Sequence, residues 1–131
     1  MLNKISILVA EDQAFIALDV ALAVEDACGK VIGPAASCEE AIALLAGAKI
    51  HGAIIDVNLL DRDCSDLVEV LVGLDVPFIV HTAVELPASL SERFSGLVVQ
   101  IKPCPAPALV TRLAQLIASD ACGGETSAGN A

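Results

Sequence analysis

The sequence predicts an α/β fold: a doubly wound three-layer sandwich around a five-stranded parallel sheet in the order 2-1-3-4-5. Three observations point there. Short apolar runs alternate five times with helical patterns, without an internal repeat or a linker. The 131 residues, 56% of them hydrophobic, suffice for one core covered on both faces and leave no room for a second catalytic or DNA-binding domain. Four of the runs also hand over to polar groups, namely Glu11 and Asp12, Asp56, Thr82 and Lys102, and in such a sheet these strand ends share one crevice.

Residues 5–10 are short, β-branched and apolar, as a strand buried on both faces should be. A helix follows, with Phe15, Leu18 and Leu22 beside Ile16, Val20 and Val24 expected as its inward stripe, Asp19 and Asp26 opposite, and Gly29 closing it. Residues 30–36 form a weaker strand. Ser37 and Glu40 then read as a capping box for a helix that ends near Gly47. The third strand spans 52–57, a polar loop 58–64, and the next helix 65–73 turns Leu67, Val68 and Leu71 inward. The fourth strand covers 77–81. The stretch 84–96 is the least regular, because Pro87 confines any helix to its C-terminal side. Residues 97–101 make the fifth strand, and Pro103, Pro105 and Pro107 suit a helix entrance. The last helix points Leu109, Val110, Leu113, Leu116 and Ile117 inward and Arg112, Gln115 and Ser119 outward. The domain is expected to cover 1–119, and 120–131 to be a frayed tail.

Charge narrows the partners. A formal charge of -10, from 7 basic against 17 acidic side chains, opposes nucleic acid and anionic membrane surfaces and favours a protein or small-ligand partner. Glu11 and Asp12 interrupt the first apolar run too early for a signal peptide, and no run reaches a membrane-span length, so a soluble cytoplasmic protein is expected. Five scattered cysteines without a Cys-x-x-Cys pair, and two histidines, fit neither a disulfide framework nor zinc, and read as reduced apolar fillers. His81 is expected as a partly buried strand histidine and His51 as exposed.

Glu11, Asp12 and Asp56 together would repel one another unless a cation sits among them. Oxygen-only ligation is what magnesium prefers, with manganese as its substitute. A carboxylate beside such an ion can attack a phosphoryl group when the charge is offset, which Lys102 supplies, while the Thr82 hydroxyl and the amides after Asp56 serve the equatorial oxygens.

From about Asn3 to Ser119, these positions resemble the receiver domain of two-component response regulators. The resemblance rests on Glu11-Asp12, on Asp56 within Ile54-Ile55-Asp56-Val57-Asn58, on Thr82-Ala83 and on Lys102-Pro103. It implies that Asp56 accepts phosphate from a histidine kinase or phosphotransfer protein. Asp12, Asp56 and the Asn58 backbone carbonyl would ligate Mg2+, with Glu11 acting through water. Thr82 would be the switch hydroxyl, and Lys102 would pair with the phosphoryl oxygen beside a proline that is usually cis. On that likeness the chain is a stand-alone response regulator, not an enzyme beyond its own phosphorylation and dephosphorylation, that signals by altered protein binding; a homodimer stays open.

Two departures touch the switching half. Val99 stands where many receivers carry Tyr or Phe, and Cys104 replaces a frequent aromatic. They motivate the alternative of a receiver-like adaptor that binds its partner independently of phosphorylation. A haloacid-dehalogenase-like phosphatase would want an Asp where Asn58 stands. A flavodoxin-like FMN carrier would have its phosphate repelled by Glu11 and Asp12.

Overall fold

The computed structural model describes residues 2–83 and 85–127, with side chains described through residue 119. Strands β1 (Ser6–Ala10), β2 (Lys30–Ala35), β3 (Gly52–Asp56), β4 (Phe78–Thr82) and β5 (Val99–Ile101) alternate with helices α1 (Ala14–Asp26), α2 (Cys38–Gly47), α3 (Ser65–Gly73), α4 (Ala88–Arg93) and α5 (Ala106–Ser127). All paired strands are parallel and run in the order β2-β1-β3-β4-β5, as expected from the alternation.

Alternation along the strands divides the core. Ile7, Val9, Ile54 and Ile79 face one layer with Val20 and Val24 of α1 and Leu109 and Leu113 of α5. Leu8, Ile55 and Val80 face the other, with Ala41 of α2, Leu67 and Leu71 of α3 and Leu90 of α4. Helices on both faces explain why β1 and β3 read as continuous apolar runs rather than alternating ones.

The phase of α1 corrects the sequence reading. Its buried residues are Ala17, Val20, Ala23 and Val24, whereas Phe15 is 87% exposed, Leu18 55% and Leu22 49%. A helix apolar nearly all round has no unique inward stripe by periodicity, and alanines allow the closer approach to the sheet and to α5. Leaving Phe15 almost wholly in water forgoes roughly 2 kcal/mol of burial, and the half-exposed leucines about half as much each.

Smaller corrections follow the same logic. Arg112 does not point outward: it is half-buried, and its Nη1 donates to the Val99 carbonyl at 3.2 Å and to Gln100 Oε1 at 2.6 Å, covering the edge strand β5. His51 is half-buried, its Nδ1 accepting the Ser6 N–H at 3.1 Å. Ser37 caps α2 through Glu40 N–H at 3.0 Å, but Glu40 reaches back to the Ala36 amide rather than to that of the cap. Helix α4 is held to six residues, with Pro87 as its N-cap. The backbone of α5 stays helical to Ser127, because extending a formed helix needs only one more hydrogen bond per residue; the expected tail's residues 128–131 lie outside the described ones.

Candidate functional site

The strand ends converge as the sheet order requires. Beyond β1, the Glu11 N–H donates to the Ala35 carbonyl at 2.8 Å, across a register irregularity that Gly33 permits at φ +101°. A Cβ there would meet the Ala35 nitrogen at 2.8 Å and the Val9 carbonyl at 2.9 Å, so only glycine fits without a shift. Glu11 itself is buried, at 5% exposure. β3 ends on Asp56, 7% exposed, and β4 on Thr82, 1% exposed.

Lys102 joins them from the end of β5. Its N–H donates to the Thr82 carbonyl at 2.7 Å, and its Nζ lies 3.1 Å from Glu11 Oε1 and 3.4 Å from Asp56 Oδ2. The Lys102–Pro103 peptide bond is cis. Glu11, Asp12 and Asp56 each offer a carboxylate oxygen, all within 4.8 Å of one another. Asp12, Asp56, Asn58, Thr82 and Lys102, completed by Gln13 and Ala83, line a cavity of about 140 Å³.

Electrostatics here are unbalanced. Burial, then the hydrogen bond and negative charge of Asp56, push the Glu11 carboxyl up to about 7, although the Gln13 N–H at 3.2 Å and Lys102 pull it down. One ammonium does not neutralise three carboxylates. An oxygen-only set with this excess of negative charge suits a hard divalent cation of the magnesium class.

Gln13 is a cavity residue that sequence reasoning missed, since it carries no motif, whereas Ala83 belongs to the Thr82-Ala83 pair already read there. Cys104 lies in a neighbouring cavity of about 430 Å³ between α1 and the start of α5, walled also by Ile16, Val20, His81, Pro103 and Pro105. His81 is more buried than expected, at 4% exposure, and among the described residues neither ring nitrogen has a hydrogen-bond partner. The described cysteines are all free: Cys38 and Cys64 buried, Cys104 half-buried and Cys28 exposed.

No family model matches the chain, and no curated protein does. Solved structures match it closely in shape. A response regulator receiver protein from Sinorhizobium medicae is 25% identical at a TM-score of 0.79, covering 88% of this chain and 96% of that one. SdrG from Sphingomonas melonis is 25% identical at a TM-score of 0.71, over 90% and 99%. The chain has the receiver-domain fold. The response regulator PhyR from Brucella abortus, 28% identical at a TM-score of 0.73, matches 95% of this chain but only 51% of its own length.

Within this receiver fold, Val99 is half-buried against the α2/α3/α4 side of the core, and no aromatic ring stands at its place on β5. No helix among the described residues is long and apolar enough to cross a membrane.

Proposed function

We propose that the chain is a signalling phosphoacceptor: Asp56 takes a phosphoryl group from the phosphohistidine of a kinase or phosphotransfer protein, and the product alters binding of a protein partner. The observation that carries this is the juxtaposition of Asp56 with Glu11, Asp12 and the Lys102 ammonium at the sheet's C-terminal edge. A carboxylate oxygen of Asp56 forms the new O–P bond, the donor's P–N bond breaks, and the leaving imidazole takes up a proton. Asp12, Asp56 and the Asn58 carbonyl would hold Mg2+ or Mn2+, with Glu11 behind them through water. When bound, such an ion supplies positive charge to the transferring phosphoryl group.

The chain's own groups divide the remaining work. Lys102, already directed at Asp56, balances the added negative charge. Thr82, at the cavity wall, offers its hydroxyl to an equatorial oxygen. Exposed Phe15, Leu18 and Leu22, on the helix that follows the acidic pair, give a donor protein an apolar surface on α1. Incubation with acetyl phosphate and Mg2+ should add one phosphoryl group to the intact mass, and Asp56→Asn should not acquire it; absence of any adduct on the natural sequence would refute the reading.

Val99 favours a second reading, an adaptor whose partner binding ignores phosphorylation. Beryllofluoride leaving partner affinity unchanged supports it, and a tenfold change removes it.

A further inference from the structure

Beside the acidic cluster one carboxylate fastens the loop between β3 and α3 to the first turn of α2. Asp61, in the loop between β3 and α3, accepts the Cys38 N–H at 2.7 Å through Oδ1 and the Glu39 N–H at 3.1 Å through Oδ2, so it chelates the first turn of α2 across 23 residues of sequence. Ser37 already serves the third amide of that turn. The Leu60 N–H adds a bond to the Ala36 carbonyl at 3.0 Å. Arg62 braces the carboxylate, with Nη1 2.9 Å from Asp61 Oδ2 and Nε 3.0 Å from Asp66 Oδ2. The Cys38 amide holds the Asp61 carboxyl below the usual aspartate range.

The loop so fastened is the one that carries Asn58. Within it the Cys64 N–H returns to the Val57 carbonyl at 2.8 Å, the Leu59 N–H meets the Arg62 carbonyl at 3.1 Å, and Asn58 bridges Asp63. Movement of Asp61 is therefore passed back to Asn58 and Asp56. The receiving turn, 35–37, is also what Glu11 hangs from, through the Ala35 carbonyl. Both halves of the acidic cluster thus share one support, and only one of them is held there by a side chain that can be removed without touching the cluster.

We propose that Asp61 is a positioning residue for the metal and phosphoryl site: its clamp on the Cys38 and Glu39 amides fixes Asn58 and Asp56 relative to Glu11 and Asp12. This rests on the metal-dependent phosphoacceptor reading above. Groups that hydrogen-bond metal ligands directly typically cost tenfold or more in metal affinity when removed, and Asp61 acts one step further out, through the backbone of the loop that carries Asn58.

The test uses the full chain with Mn2+ alone as the probe, bound ion being read from the loss of its free spin-resonance signal, followed by acetyl phosphate labelling over a Mg2+ series. Asp61→Ala should weaken Mn2+ binding about tenfold and raise the Mg2+ needed for half-maximal labelling by a similar factor, with the rate at saturating Mg2+ changed less than about twofold. Ser37→Ala removes the local cap of the same helix; it should lower the thermal midpoint comparably while leaving Mn2+ binding alone. Asp61→Asn, which keeps one acceptor oxygen, should fall between.

Unchanged Mn2+ affinity in Asp61→Ala overturns the proposal and leaves Asp61 a helix cap only; so does equal weakening in Ser37→Ala. Natural sequence that binds Mn2+ through the Asp61-dependent site yet never labels refutes the phosphoacceptor reading and spares the clamp. Natural sequence that binds no Mn2+ refutes both.

Discussion

Lys102 Nζ stands closer to Glu11, at 3.1 Å, than to Asp56, at 3.4 Å. The ammonium is thus shared between the carboxylate that would take the phosphoryl group and one that would not, and both partners are buried. A cation entering among the carboxylates would compete for Glu11 and free the ammonium to follow Asp56.

The raised Glu11 carboxyl makes the site sensitive to pH. The Glu11 carboxyl ionises near 7 in the folded chain against an ordinary value of 4.5, so its contribution to stability is full below about 4.5 and lost as pH rises through 7. That loss is on the order of 3 kcal/mol. Metal-free protein should therefore melt at lower temperature at pH 8 than at pH 6, and Glu11→Gln should flatten the difference. Mn2+ or Mg2+ affinity should rise over the same interval with proton release, which calorimetry in two buffers of different ionisation heat would detect.

Replacing Lys102 should separate charge balance from metal binding. Lys102→Met leaves two buried carboxylates without their ammonium, and loss of a single preorganised donor typically costs about a hundredfold in rate. Labelling by acetyl phosphate at saturating Mg2+ should slow by about that factor, while Mn2+ binding, relieved of a competing cation, should not weaken.

The exposed face of α1 gives a third expectation. Leu18→Glu should slow transfer from a phosphorylated protein donor about tenfold and leave the acetyl phosphate rate unchanged, because a small donor needs no docking surface. Equal slowing with both donors would show that the substitution damages the fold instead.

His81 concerns stability alone. Burial, and then the Lys102 charge, lower its pKa, so its stability contribution is present above about 6.5 and lost as pH falls through the depressed folded value. Both ring nitrogens are buried without partners among the described residues, which costs roughly 1–3 kcal/mol. His81→Leu, an apolar side chain beside Ile16 and Val20, should raise the thermal midpoint and reduce the loss of stability below pH 6.

Much of this was legible in the sequence for one physical reason. Parallel strands buried on both faces and ending in charged residues, such as 52–57 with Asp56, have few other ways to fold, and the sheet order then brings Glu11, Asp12, Asp56, Thr82 and Lys102 together. What was not legible depended on side chains choosing between equivalent faces. Phe15, Leu18 and Leu22 match a helical stripe as well as the true one does, and only the alanines' close packing decides. Arg112 and Asp61 look like solvated charges until the backbone they serve, the edge of β5 and the first turn of α2, is seen beside them. The position of Val99 was plain from sequence, but what replaces an aromatic readout there is not carried by local pattern.

The central claim, that Asp56 is the phosphoacceptor, is tested most directly by trapping the acyl phosphate chemically. Borohydride reduces an aspartyl phosphate to homoserine, which peptide mass spectrometry locates. After exposure to acetyl phosphate and Mg2+, homoserine should be found at position 56 and should vanish when the metal is chelated. Homoserine at position 12 instead, or at no position under labelling conditions, would contradict the account.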